Sequence, residues 1–85
     1  MKKVSLRSFP SVQLAVHGLG QYRVINTVEE AAETLLDRWP EDEYGQAFEQ
    51  ALETCVKAMN DQAAPEAVRA ALIKAAEEAE IGVRD

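Results

Sequence analysis

The side chains best suited to chemistry in this sequence are one histidine, one tryptophan and one cysteine, and they stand well apart as His17, Trp39 and Cys55. A cysteine nucleophile needs a nearby base or a helix N-terminus to lower its pKa. Cys55 falls instead within an apolar helical stripe, which predicts a buried structural thiol. His17 has no acidic neighbour to orient it as a base, and one His with one Cys cannot supply the three or four ligands of a zinc site. No metal, no cofactor and no catalytic constellation are expected. Gly18-Leu19-Gly20 resembles the start of a nucleotide-binding loop, yet Arg23 occupies the third glycine position and a strand follows where a helix is required. The acids Glu41, Asp42 and Glu43 suit the positive end of a helix better than a cation site. Glu77, Glu78 and Glu80 are harder to place. Acids at the negative end of a helix cost from a few tenths to about 1 kcal/mol, which a basic partner surface, such as the positive arm of a second copy, would offset.

The elements that must position these residues are legible from periodicity. Residues 1–10 show no sustained period and end in Pro10, so they read as a flexible arm or a short edge segment. Residues 11–85 read as a single small α+β domain. Val12, Leu14 and Val16 alternate with Gln13, Ala15 and His17, and after Gly18-Leu19-Gly20 a second run follows from Gln21 to Ile25, which predicts a β-hairpin. A three-residue loop sets Val16 opposite Tyr22 and Leu14 opposite Val24, keeps one face apolar and gives Gly20 the left-handed position such loops need. The other face then shows Gln13, Ala15, His17, Gln21, Arg23 and Ile25.

Three helices are predicted next, giving a two-stranded antiparallel hairpin followed by three packed helices (ββααα). The first has Thr27 as N-cap, Glu30 as its capping-box partner and a stripe of Val28, Ala31, Ala32, Leu35, Leu36 and Trp39, stopped by Pro40. The second, residues 42–59, carries Tyr44, Phe48, Ala51, Leu52, Cys55 and Met59 on one face. Pro65 opens the third at the position that tolerates proline best, Val68, Ala71, Leu72, Ala75, Ala76 and Ala79 line it, and Gly82 ends it. Short connections make the helices antiparallel neighbours packed against the hairpin.

Eighty-five residues with a net charge of −6 suffice for one domain with a modest core. Lys2, Lys3, Arg7 and Arg23 are the only charges before Glu29, whereas residues 29–85 hold 15 acids against 5 bases. That asymmetry predicts a dipolar molecule and disfavours nucleic acid, because the acidic bulk repels phosphates and the four bases form no dense patch. The apolar run needed for a signal peptide after Met1-Lys2-Lys3 is broken by Ser5, Arg7, Ser8 and Pro10, and no run is long enough to span a bilayer. A reducing, cytoplasmic setting and no membrane association are expected.

The order of landmarks carries a family likeness. Tyr22-Arg23-Val24, then Glu30-Ala31-Ala32, Leu35-Leu36 and Trp39-Pro40, then residues 51–55 (ALETC), 65–72 (PEAVRAAL) and 75–79 (AAEEA), together resemble the bacterial domain-of-unknown-function family numbered 982 over about residues 10–83. The chain departs from that pattern in having Leu72 for Phe and Glu80 for Gly. The resemblance implies a small bacterial protein with a hairpin and helices, and no reaction.

The function expected is that of a noncatalytic interaction module, regulatory or accessory. A hairpin with two free edges is a template for strand pairing, and its open face of Gln13, His17, Gln21, Arg23 and Ile25 is the candidate interaction surface. The partner would be another protein or a second copy, whose edge would extend the sheet to four strands. The alternative is a small-molecule binder or enzyme accessory subunit with a pocket at Trp39 and Tyr44, where the first two helices meet the sheet. A nucleic-acid binder using Lys2, Lys3, Arg7 and Arg23 ranks last.

Overall fold

A computed structural model describes residues 7–16, 20–40, 42 and 44–84. Strand β1 (Ser8–Leu14) and strand β2 (Arg23–Thr27) pair antiparallel, and a short β3 (Val83–Arg84) pairs with the other side of β1, so the sheet order is β2-β1-β3. The expected two-stranded hairpin is thus a three-stranded antiparallel sheet. Its third strand is too short, at two residues, to leave a periodic signal. Ser8, Phe9 and Pro10, assigned from sequence to an arm, are the first residues of β1, and Phe9 is buried in the core. The rest of that expected arm, residues 1–6, lies outside the described residues, as do His17, Gly18 and Leu19.

A bulge explains why the period of β1 was hidden. Ser8 pairs with Thr27 and Val12 with Ile25, so four steps along β1 match two along β2. Pro10 falls in the bulged stretch, where a missing N–H costs no ladder bond, and its carbonyl accepts from Arg69 Nε at 2.8 Å. The bulge lets Phe9 and Val12, three residues apart, face the same core.

The register of β2 differs by one residue from the expectation. Leu14 lies opposite Arg23, Gln13 opposite Val24 and Val12 opposite Ile25. One step reverses the strand's faces: Ile25 is 0% exposed and Thr27 is buried, while Val24 is 56% exposed. Gly20 does take the left-handed position, at φ 79°.

Helix α1 (Val28–Glu33) starts as the sequence indicates, with the Glu30 N–H donating to Thr27 Oγ1 at 3.0 Å. The reciprocal bond goes to Asn26, whose N–H donates to Glu30 Oε1 at 2.9 Å. From Thr34 to Arg38 the winding is π-helical, which breaks the 3.6-residue extrapolation of the stripe. Thr34 is fully buried and Leu36, expected in the core, is 66% exposed. Trp39 keeps its core position and packs on Phe48 with ring centroids 5.9 Å apart.

Helices α2 (Gln46–Met59) and α3 (Pro65–Glu78) pack on each other, with Ala47, Ala51, Ala58, Ala75 and Ala76 buried. Small side chains permit close approach. Helix α2 begins four residues later than the expected Asp42, with Gly45 as N-cap and no capping side chain of its own. Its cap comes from α3: the Ala47 N–H donates to Glu78 Oε1 at 3.1 Å. An acid at the negative end of one helix is here an acid at the positive end of its neighbour. A Cβ on residue 45 would collide with that carboxylate and come within 2.9 Å of Glu78 Cδ, so Gly45 keeps the cap seated.

Both long helices end in left-handed residues. The Ile81 N–H donates to the Ala76 carbonyl at 2.8 Å and the Gln62 N–H to the Lys57 carbonyl at 2.7 Å, with Glu80 at φ 59° and Asp61 at φ 60°. These are Schellman closures. Helix α3 therefore stops at Glu78, before the expected Gly82, which serves another purpose: a Cβ there would lie 3.0 Å from Tyr22 Oη.

Two outcomes follow from these helix ends. Glu80→Gly relieves a side chain of a left-handed conformation and is expected to stabilise the fold by about 0.5–1 kcal/mol, read as a higher urea midpoint with an unchanged m-value. Glu78→Ala is expected to cost about 1 kcal/mol. Gly45→Ala destabilises too, and the double variant should lose less than the two single losses added, because both remove the same cap.

Candidate functional site

The outer edge of β2 and the sheet face away from the helices present backbone and side-chain groups in a defined geometry. The Ala15 N–H donates to the Gly82 carbonyl at 2.9 Å, continuing the β1–β3 ladder in which Gln13 opposes Arg84. In antiparallel pairs bonded and non-bonded positions alternate, so Gln13 turns its amide groups toward β3. Its opposite number on the other side, Val24, accordingly turns its N–H and C=O away from β1, onto the free edge. The Asn26 N–H is already occupied by Glu30.

The side chains of the open face follow from the same parity. Gln13, half-buried, lies beside exposed Val24 and Arg84, and the Arg84 guanidinium sits over the Tyr22 ring, 4.4 Å from its centroid. A cation over an aromatic face is attracted by the ring quadrupole. Tyr22 reaches across the position of Ala15 toward Gly82, which a larger residue at 82 would obstruct.

Of the five residues expected on the interaction surface, the structure places Gln13 on the open face and Gln21, exposed, beside the strand. Ile25 is not on it: with Val12 opposite and no exposure, it is core, and a surface role is overturned by the register. Arg23 also turns to the helix side, where its Nε donates to Thr34 Oγ1 at 2.9 Å and its Nη2 to Glu33 Oε1 at 3.0 Å. The Thr34 hydroxyl in turn donates to the Glu30 carbonyl at 2.8 Å, so a fully buried hydroxyl is satisfied at both ends. Arg38 Nη2 stands 4.0 Å from the same Glu33 carboxylate. His17 lies outside the described residues. Tyr22, Val24 and Arg84 were missed; the exposed valine in an apolar run gave no sequence signal, since only pairing decides which side of a strand is wet.

Trp39, at 4% exposure, is packed rather than lining a cleft, and Tyr44 stacks on Phe48 with centroids 4.6 Å apart. A concavity does lie elsewhere, a shallow groove of about 320 Å³ between α2 and α3 lined by Ala47, Gln50, Thr54, Ala70, Ala71 and Lys74. Two of the four N-terminal bases are engaged internally: Arg23 as above, and Arg7, whose Nη1 meets Glu29 at 3.2 Å and whose Nη2 donates to the Met59 carbonyl at 3.0 Å. Lys2 and Lys3 lie outside the described residues. Among the described residues no group of three or more His, Cys, Asp or Glu is arranged to hold a metal, and no helix is long and apolar enough to cross a membrane.

The profile of the family described as Protein of unknown function (DUF982) matches residues 10–83 of the chain. No curated protein and no solved structure matches it.

Cys55 is buried on the core face of α2, and burial pushes its thiol up from 9.0 to about 11. Because the folded pKa is raised, this group's contribution to stability is full below the unfolded pKa and is lost as pH rises through 9 toward 11. The native protein is expected to resist a thiol reagent at pH 8 and to react fully in denaturant. A urea titration should show stability falling across that alkaline window, a fall that Cys55→Ala, itself less stable at neutral pH, lacks.

Proposed function

The chain belongs to the family described as Protein of unknown function (DUF982), and on that footing we propose that it is a noncatalytic interaction module, one that takes an extended strand of a protein partner or of a second copy onto the outer edge of β2. The observation that carries this reading is Val24: its amide groups face outward from a β2 edge that no strand among the described residues covers, and its side chain is 56% exposed. Strand addition draws affinity from main-chain bonds and specificity from alternate side chains. Gln13, Tyr22 and Arg84 would supply contacts on the open face. A regulatory or accessory role in a reducing, cytoplasmic setting accords with a lone buried thiol and a modest core.

Nucleic acid is the less favoured partner, since Arg7 and Arg23 already answer carboxylates within the fold. A small-molecule role would fall to the α2–α3 groove, whose open, shallow form gives a drug-sized ligand little enclosure.

The test is capture of a stoichiometric protein by the tagged chain, compared with Val24→Pro and with Glu66→Lys. Proline removes the outward N–H at an edge position where it is tolerated, whereas Glu66 is an exposed residue on the first turn of α3. Loss with Val24→Pro and retention with Glu66→Lys, both variants folded by circular dichroism, is the expected result; equal capture by all three baits would remove the edge from the reading. Ile25→Glu is unsuitable as a control because it would bury a charge in the core.

A further inference from the structure

We infer that the apolar seam between α1 and α2 is the docking surface of residues 1–6, the segment that leads into β1; this stands apart from the β2 edge and does not rest on it. The two helices lie antiparallel, since Arg7 joins Glu29 to the Met59 carbonyl at one end and Trp39 packs on Phe48 at the other. On α2, Leu52 and Met59 fall four and eleven residues after Phe48, on its flank of the helix, and Val56 lies one turn beyond Leu52 on the outer side. On α1, Arg23 holds Thr34 on the sheet flank and Leu35 is core, so Leu36 emerges on the opposite flank, beside α2. Of the five large apolar side chains exposed among the described residues, four belong to this seam: Leu36, Tyr44 on Phe48, Val56 and Met59. A run of exposed apolar groups along one seam marks a surface that something covers.

The point of entry, the length and the charge of residues 1–6 identify them as the cover. Arg7, the next residue, is pinned at the seam's end by Glu29 at 3.2 Å, the Met59 carbonyl at 3.0 Å and Asp61 at 3.6 Å. There Arg7 Nε and Glu29 Oε1 are buried without a hydrogen-bond partner among the described residues. They are a donor and an acceptor, which the carbonyl and N–H of a passing backbone would satisfy together. Six extended residues reach at most about 20 Å, against about 10 Å of helix from Met59 back to Leu52. Val4 and Leu6 share one face of an extended segment and meet the apolar flank of α2. Residues 28–38 and 46–59 hold six acids against two bases, Arg38 and Lys57, and Arg7 and Arg23 offset only Glu29 and Glu33. Asp37 beside Leu36, and Glu49 and Glu53 on the outer rim beside Leu52 and Val56, are exposed and enter no ion pair among the described residues. Lys2 and Lys3 complement them.

Disulfide trapping on the full chain tests the placement. Val4→Cys is combined either with Val56→Cys, on the seam, or with Lys57→Cys, the next residue, which points about 100° away around the same helix. Both α2 sites are exposed, and the buried native Cys55 does not compete. Docking brings residues 4 and 56 within the roughly 4.4–6.8 Å between Cα atoms that a disulfide spans, so that pair is expected to close within one chain at least tenfold faster under mild oxidation. Lys2→Glu with Lys3→Glu in the same background should slow closure about threefold at low ionic strength, a loss that about 1 M salt removes. Equal rates at 56 and 57, or a faster rate at 57, would overturn the docking. Disulfides that form between chains, at a rate rising with concentration, would give the seam to the segment of a second copy and overturn the same-chain placement. A rate unchanged by the charge reversal would overturn the part assigned to Lys2 and Lys3.

Discussion

The pairing of β2 on β1 is the constraint from which the rest of this molecule follows. With Val12 against Ile25 and Leu14 against Arg23, three aliphatic side chains and Thr27 point toward the helices, and Val24 points away. The alternation has a period of two, so a slip of one residue would empty the core of Ile25 and put Val24 in its place. The same alignment brings Arg23 over Thr34 and Glu33, delivers Thr27 as the cap of α1 with no intervening loop, and leaves the outer side of β2 without a strand partner among the described residues.

Charges that look segregated along the chain are partly brought together in space. The early bases Arg7 and Arg23 meet Glu29 and Glu33, and Arg7 also stands 3.6 Å from Asp61 at the end of α2. These pairs are partly exposed, so their contribution lies more in fixing how β1, α1 and α2 meet than in net stability. Arg7 illustrates this: one side chain ties the strand entry to the start of one helix and the end of another. Glu78 does the same for α2 and α3, and the acidic end of α3 needs no external basic surface to explain that residue.

The π-helical turn at Thr34–Arg38 shows how one buried hydroxyl can redirect a helix. Thr34 donates back to the Glu30 carbonyl, a bond that competes with regular helical pairing and bends helices, and it accepts from Arg23, which locks it in place. Leu36 turns outward as a result, while Trp39 still closes the core against Phe48. The family pattern noted in the sequence also gains a reason here. Glu80 occupies a left-handed helix stop, the conformation for which glycine is the ordinary choice.

By itself the sequence determined what depends on neighbours in the chain. The Thr27 cap with its Glu30 bond, Pro65 at the start of α3, the left-handed Gly20 and the inward set from Val68 to Ala79 are local matters, set by backbone sterics and a 3.6-residue period, and each could be read directly. Burial of Cys55 and Trp39 belongs with them, because a stripe that long must find a core. Tertiary structure decided everything that needed a distant partner: which face of β2 is wet, the bulge that puts Phe9 inside, the pairing of Val83–Arg84 with β1, and the use of Glu78 on another helix's N-terminus. Val24 and Ile25 are adjacent and both β-branched, and propensity cannot separate them. Only the strand that lies beside them, and the helices beneath, assign one to the core and the other to the edge.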